Sequence, residues 1–290
     1  MPTTPGDHTL ELPDGRRLGY AVVGDPAGEV VVNCHGGLAS GHDILPADRL
    51  ARARGLCIVS PDRPGIGRTD RVADFGMLRW VRGDLVGLLD HLSVERLGIM
   101  GWSEGGQYAL AAAFELPHRV TRCAVIAGCP PLDDPATLRE SNRVDRVLSA
   151  LARRAPLALR GVAAGTHLLS RWAPGVLLRA STHGVPPDEH DAVHAEGGWF
   201  PSVLGEGSAN PRGVVDEYRA AVAPWGFAPE DVTVAVRVFQ GTADAMVPEA
   251  WGRRLAARIP DASLVLYPDE GHFISVTRRA DVLDWLAAPR

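Results

Sequence analysis

The chain has 290 residues, 46% of them hydrophobic and 22% charged, with a formal net charge of -5. This is ample apolar material for one large α/β domain, with or without an inserted subdomain, and it offers no basic face for nucleic acid. No apolar run approaches the roughly 18 residues of a membrane span, and all 30 basic residues are arginine, which excludes a Schiff-base lysine, a P-loop lysine and a Ser-Lys dyad.

The opening residues, Met1 to His8, carry neither a positive segment nor an apolar core. They do not read as a secretory leader, so a cytoplasmic location and no membrane partner are expected. Cys34, Cys57, Cys123 and Cys129 lie in or beside apolar runs without metal-ligand spacing and read as reduced core thiols.

Two strands open the chain, over 9–12 and 17–23, with the turn Pro13-Asp14-Gly15 between them. The pair reads as a hairpin. A buried strand over 29–34 ends at His35-Gly36-Gly37. A helix over 45–54 leads to a strand over 56–60, which ends at Pro61-Asp62-Arg63-Pro64-Gly65-Ile66-Gly67. Residues 77–92 show helical spacing of Trp80, Leu85, Leu88 and Leu89. A strand over 97–100, a helix over 106–114 and a strand over 121–127 follow. Alternation at this spacing predicts a parallel sheet with helices on both faces. From 130 to 226 the pattern breaks: no strong strand appears, and helical segments over 144–154 and 158–169 alternate with Pro- and Gly-containing breaks. Strands over 232–239 and 263–267 and helices over 250–258 and 274–286 then restore it. The expected organisation is a core of residues 1–129 and 227–290 with a helical insertion over 130–226.

The most informative segment is Gly101-Trp102-Ser103-Glu104-Gly105, between a strand and a helix. That is the context a nucleophile elbow requires. The chain reverses so sharply at Ser103 that Gly101 and Gly105 must be small, and the serine hydroxyl stands at a helix N-terminus, where developing negative charge is favoured. A serine needs a base to take its proton, and the base needs an orienting carboxylate. Asp244 and His272 each follow a strand end in the required order after Ser103. Asp133 and Asp134 are fallback acids, whereas Asp269 sits too near His272 along the chain. Two backbone N–H groups must receive the oxyanion. Glu104, next after the serine, supplies one; Gly37 is the candidate for the other, with Leu38 as its neighbour. His35 reads as structural, since the base is already filled.

These residues make the chain resemble a capped, single-domain enzyme of the α/β-hydrolase fold. The resemblance rests on His35-Gly36-Gly37, on Asp62 to Asp70, on Gly101 to Gly106, on Gly241 to Pro248 and on Gly271-His272-Phe273. It implies an α/β fold with a mostly parallel eight-stranded sheet flanked by helices, and a helical cap inserted after the sixth strand that covers the serine. It implies further that the Asp-Arg-Pro-Gly segment is mostly structural, that no cofactor or metal is used, and that Ser103 forms an acyl-enzyme. Epoxide hydrolases and haloalkane dehalogenases of this fold carry Asp at the elbow, and Ser103 departs from them.

The leading expectation is a serine hydrolase of a carboxylic ester, thioester or lactone with a small-to-medium apolar substrate. Substrate contacts are expected from Gly36, Leu38, Trp199 and Phe200. The clusters Trp199-Phe200-Pro201 and Trp225-Gly226-Phe227 read either as lining over Ser103 or as packing between cap and core, while Trp102 reads as packing under the elbow. Rival functions are amide or aminopeptidase-like cleavage (Leu38 replaces the proline usual there), hydrolysis of a carbon–carbon bond, a lyase, cyclase or cofactor-free oxygenase, and a ligand receptor. His190 and His194, with Asp191 and Glu196 near, have metal-compatible spacing but read as a solvated helix face. A small-molecule substrate is the expected partner, and a homo-oligomer stays open.

Overall fold

A computed structural model describes residues 6–288. Residues 1–5, part of the segment read for a leader, and 289–290, the end of the expected core, lie outside the described residues. The strands are β1 Gly6–Glu11, β2 Arg17–Gly24, β3 Glu29–Cys34, β4 Leu56–Pro61, β5 Leu97–Trp102, β6 Val120–Ile126, β7 Val236–Gly241 and β8 Ala262–Tyr267. They form one sheet in the order β1-β2-β4-β3-β5-β6-β7-β8. β2 runs antiparallel to β1 and β4, and the hairpin register pairs Glu11 with Arg17. All other pairings are parallel.

The central strands are mostly apolar because both sheet faces are covered. Val32, Val59, Ile99, Val125 and Val238 pack into one cluster; their neighbours Val31, Ile58, Met100, Ala124 and Phe239 pack into another on the opposite face. Burial of each such side chain stabilises by about 1.5–3 kcal/mol.

The helices of the core are α1 Asp48–Ala53, α2 Met77–Trp80, α3 Val86–His91 and α4 Gly105–Glu115. Seven helices lie between β6 and β7: α5 Pro135–Glu140, α6 Arg143–Arg154, α7 Pro156–Trp172, α8 Pro174–Ser181, α9 Pro187–Ala195, α10 Trp199–Gly207 and α11 Pro211–Ala221. They are the cap inserted after the sixth strand. A cluster of Leu148, Leu159, Ala163, Val214 and Val215 holds α6, α7 and α11 together and takes in Ile66 of the core. α12 Glu249–Arg258, α13 Ile274–Thr277 and α14 Arg279–Ala287 complete the chain.

Several boundaries differ from expectation, each for a local reason. The helix predicted over 45–54 begins as a 3₁₀ segment, Gly41–Ala47, with Pro46 inside it, before α1. That segment is opened by Ser40, whose side chain accepts the His42 N–H at 3.3 Å. The helix predicted over 77–92 holds a π turn, Val81–Leu85, between α2 and α3. The strand predicted from 232 starts at Val236, because Pro229–Asp231 first makes a 3₁₀ turn closed by Asp231 accepting the Ala228 N–H at 2.8 Å. The final helix breaks at Arg278 into α13 and α14. Among the described residues, no helix is long and apolar enough to cross a membrane.

Candidate active site

β5 ends at Trp102 and α4 starts at Gly105, so the chain turns within two residues. Ser103 takes φ 55°, a left-handed conformation rare for a residue with a side chain. Such strain persists only where the surroundings enforce it. A Cβ on Gly101 would stand 2.1 Å from the Gly105 carbonyl oxygen, and one on Gly105 would stand 2.0 Å from that of Cys34. Both positions therefore demand glycine. The Ser103 N–H donates to the Ile126 carbonyl at 2.9 Å, tying the turn to β6.

Three groups from separate loops meet here. The Ser103 Oγ lies 3.0 Å from His272 Nε2, and His272 Nδ1 lies 2.9 Å from Asp244 Oδ2. Asp244 follows β7, and its Oδ1 accepts the N–H groups of Met246 and Val247, each at 2.8 Å. With two backbone donors on one oxygen, the other is aimed at His272. The carboxylate fixes the imidazole as the Nδ1–H tautomer and leaves Nε2 free to accept the serine proton. Burial alone would lower the imidazole pKa; the charge and hydrogen bond of Asp244, with Asp145 and Glu189 adding to them, raise it above the ordinary value.

Beside the serine, the loop after β3 approaches the elbow. A Cβ on Gly37 would lie 3.6 Å from the Glu104 Cβ, so these two residues are in contact. The Gly36 N–H donates to Asp43 at 3.0 Å, and Leu38, at φ 57°, offers its N–H toward Glu217. No backbone acceptor among the described residues takes the N–H of Gly37 or of Glu104. Two free donors beside a serine are what an oxyanion needs.

Arg63 organises this loop from below. Its Nη1 donates to the His35 carbonyl at 2.6 Å, its Nη2 to that of Gly36 at 3.1 Å, and its Nε to Glu217 of α11 at 2.7 Å. Its guanidinium also lies 4.4 Å over the Tyr108 ring. Breaking a buried pair of this kind from one side costs about 3–5 kcal/mol, whatever the pair contributes net. His35 is structural here: Nδ1–H donates to the Gly36 carbonyl at 2.9 Å, and Nε2 accepts the Arg63 N–H at 3.2 Å. Burial and the nearby Arg63 charge hold its pKa well below the ordinary value.

The Glu104 side chain is buried, 3.9 Å from Arg63 and with no hydrogen-bond partner for Oε1. Burial, then the Glu217 charge, push its pKa well above the carboxyl range, because Glu217 is the nearer partner of Arg63. Both effects favour the neutral carboxyl of Glu104 over the charged one.

Three contributors carry no sequence signature. Trp102 donates its indole N–H to the His272 carbonyl at 2.9 Å, with its ring 5.3 Å from the imidazole. Glu189 of α9 accepts the N–H groups of Gly271 and Phe273, the latter at 2.8 Å. Asp145 of α6, held by Asn142 at 2.6 Å, acts on both His272 and Asp244. The only sequence hint at Glu189 is its position at an acidic helix start, which has a common explanation of its own.

Other expected residues lie elsewhere. Phe200 is buried with its ring against Trp102 and Phe273, and Trp199 donates to the His42 carbonyl at 2.9 Å. Trp225 donates to Gln107 at 2.8 Å and Phe227 stacks on Phe114 at 4.7 Å. Trp199 and Phe200 thus join cap to core, Phe200 on the rings beside His272, and Trp225 and Phe227 pack on α4. Asp134 caps α5, accepting the Ala136 and Thr137 N–H groups at 3.1 and 3.0 Å, which removes it as a fallback acid. Asp133 and Asp134 line a cleft of about 350 Å³ with Pro130, Trp225 and Arg258, and none of the three meeting groups lines it. His190 and His194 stack at 4.0 Å, His190 on Asp191 and His194 on Thr182. Cys34, Cys57 and Cys123 are buried and all four cysteines are free thiols.

Residues 29–278 match the family model of the alpha/beta hydrolase fold. Among curated proteins, the chain is 27% identical over 227 residues to a 2-hydroxy-6-oxononadienedioate/2-hydroxy-6-oxononatrienedioate hydrolase of Cupriavidus pinatubonensis (strain JMP 134 / LMG 1197), covering 76% of this chain and 71% of that one. It is 28% identical over 237 residues to a putative carbamate hydrolase of Caulobacter sp. (strain K31), covering 79% and 80%. Among solved structures, it superposes on the enol-lactonase of Burkholderia xenovorans LB400 with a TM-score of 0.72 at 19% identity, covering 96% and 97%. That likeness is one of fold.

Proposed function

This chain belongs to the alpha/beta hydrolase fold family and is a hydrolase, and we propose that it cleaves a neutral carboxylic ester, thioester or lactone of a small-to-medium apolar substrate through an acyl-enzyme. The observation that carries this reading is the serine–imidazole–carboxylate chain at 3.0 and 2.9 Å beside two unclaimed N–H donors. In the first half-reaction the Ser103 Oγ attacks the carbonyl carbon while His272 Nε2 takes its proton. Asp244 stays ionised and holds the imidazolium. The oxyanion sits between the N–H groups of Gly37 and Glu104. As the tetrahedral adduct collapses, the carbonyl re-forms, the C–O or C–S bond breaks, and His272 returns its proton to the leaving group. In the second half-reaction water replaces the leaving group, His272 takes the water proton, and Ser103 departs with it.

A second reading, hydrolysis of a carbon–carbon bond, draws on the likeness to the Cupriavidus hydrolase. The name of that relative specifies a dioate, a dianion at neutral pH. Around Ser103 this chain supplies the carboxyls Asp145, Glu189 and Glu217. The guanidinium of Arg63 is already taken by Glu217 and two carbonyls. An anionic substrate would meet like charge with the Arg63 cation already engaged, a costly pairing. This favours the neutral acyl substrate.

The test is a turnover panel of short p-nitrophenyl esters, γ- and δ-lactones, a carbamate and a 2-hydroxy-6-oxo-dienoate. The ester or lactone is expected to show the highest kcat/KM. Preference for the dienoate or the carbamate would overturn the proposal.

A further inference from the structure

Two carboxylates of the cap each grip one of the loops that carry the chemistry. Glu189, in the first turn of α9, accepts the N–H groups of Gly271 and Phe273, the two residues that flank His272. Glu217, on α11, accepts from Arg63 Nε at 2.7 Å, and Arg63 in turn binds the carbonyls of His35 and Gly36 at 2.6 and 3.1 Å. One cap residue thus fixes the imidazole loop, and another fixes the loop that ends at Gly37. Both carboxylates have 0% exposure. A buried carboxylate is costly unless its partners are in place. For these two, the partners that are present, the Gly271 and Phe273 N–H groups for Glu189 and Arg63 for Glu217 Oε1, lie in the core domain, so they are gained only when the cap is seated. The close approaches agree: a Cβ on Gly271 would stand 2.8 Å from Pro186 and 3.1 Å from Glu189, and one on Gly207 of α10 would stand 2.2 Å from the Leu38 carbonyl oxygen.

We infer that Glu189 and Glu217 are positioning residues through which seating of the cap assembles the active site. With the cap seated, the His272 loop and the oxyanion loop are both held in register with Ser103. With it lifted to admit substrate, the His272 loop loses Glu189 and the oxyanion loop loses the Glu217 hold on Arg63, and the open form is a poor catalyst. Substrate that lets the cap close therefore completes the machinery that consumes it. This inference rests on the roles given above to Ser103, His272 and Gly37.

Loss of either carboxylate also removes cap stability, so the test needs readouts that stability alone does not move. His272 is faced by Asp244 from the loop after β7, Asp145 from α6 and Glu189 from α9, and each negative charge favours the imidazolium. Glu189→Gln removes one of the three while keeping one acceptor oxygen. The acid limb of the kcat/KM profile is expected to move to lower pH, with only part of the rate loss seen in Glu189→Ala.

The experiment compares wild type, Glu189→Ala, Glu189→Gln, Glu217→Ala and Leu88→Ala. Leu88 is buried in a core cluster that contains no residue of 35–38 or 268–273, so it serves as the stability control. Two quantities are read: the second-order rate of Ser103 phosphonylation by a fluorophosphonate, and amide hydrogen exchange over 35–38 and 268–273. Glu189→Ala and Glu217→Ala are expected to slow labelling by on the order of 10², the scale of a loop displaced by about 1 Å. Exchange should rise at 268–273 in the first and at 35–38 in the second. Leu88→Ala should label at the wild-type rate below its melting point. Wild-type labelling and exchange in both cap variants would overturn the inference, as would an equal loss in Leu88→Ala. If wild type itself is not labelled, the serine reading fails, and the exchange data decide the coupling without it.

Discussion

Glu104 shows how one side chain sets a pH limit. Its N–H faces the expected oxyanion, and its carboxyl lies buried beside Gly37. Arg63 offers one positive charge to two carboxyls, at 2.7 Å from Glu217 and 3.9 Å from Glu104. Coulomb attraction gives that charge to the nearer one. The neutral form of Glu104 is favoured, its pKa raised well above the carboxyl range by burial and by the Glu217 charge. As pH rises through that value, a negative charge appears next to a developing oxyanion and the rate falls. On the acid side, His272 must be the free base, so activity rises with pH through an imidazole pKa above its ordinary value. Ionisation of Glu104 is therefore expected to oppose, as pH rises, the gain that comes from freeing His272. Glu104→Gln keeps the N–H and the shape of the side chain. It should remove that fall in kcat/KM with rising pH and leave the His272 limb in place, a result read directly from a pH–rate series. An unchanged fall would assign that ionisation elsewhere.

At the scale of elements, the elbow was legible because its demands are local. A short apolar strand, two glycines around a serine and an alanine-rich helix are all neighbours in the chain. The same locality makes a firm expectation for Gly101→Ala. The added methyl would meet the Gly105 carbonyl at 2.1 Å, with backbone on both sides and no flexible group to yield. The cost should reach at least the upper end of the about 1–3 kcal/mol typical of overpacking. Urea unfolding measures it, and a variant as stable as wild type would mean the turn has room to relax. The strands of the sheet were legible for a related reason: runs such as Val30-Val31-Val32 and Ile58-Val59 are buried on both faces and leave no other reading. The π turn at Val81–Leu85 left no trace, since apolar spacing survives a single widened turn. In the cap, helical stretches were marked over 144–154 and 158–169 and a helix face at His190 and His194, and seven α-helices stand there. Their starts at Pro135, Pro156, Pro174, Pro187 and Pro211 fit the preference of proline for a first helical position. Apart from Pro187, read as part of an acidic helix start, those prolines read as breaks and not as the helix openings they are.

Across the whole molecule, what the sequence hid is contact between distant segments. Arg63 and Glu217 are 154 positions apart, and Glu189 reaches Gly271 across 82. No periodicity or motif records such pairs; only the docking of cap on core brings them together. The serine, the imidazole and the carboxylate are just as distant, but each stands at a strand end, and the order of strands constrains where such ends meet. Cap and core thus differ in kind. The core follows from pattern, while the cap follows from which buried charges find partners. The substrate reading depends on that second class, because Asp145, Glu189 and Glu217 all come from the cap.

The central claim is that Ser103 is the attacking group and His272 its base. It is tested most directly by kcat on the best substrate for wild type, Ser103→Ala and His272→Ala, with circular dichroism to show that each variant folds. If the three groups act as a unit, either substitution should lower kcat by on the order of 10⁶. Ser103→Ala that keeps about a tenth of the wild-type kcat would contradict the account.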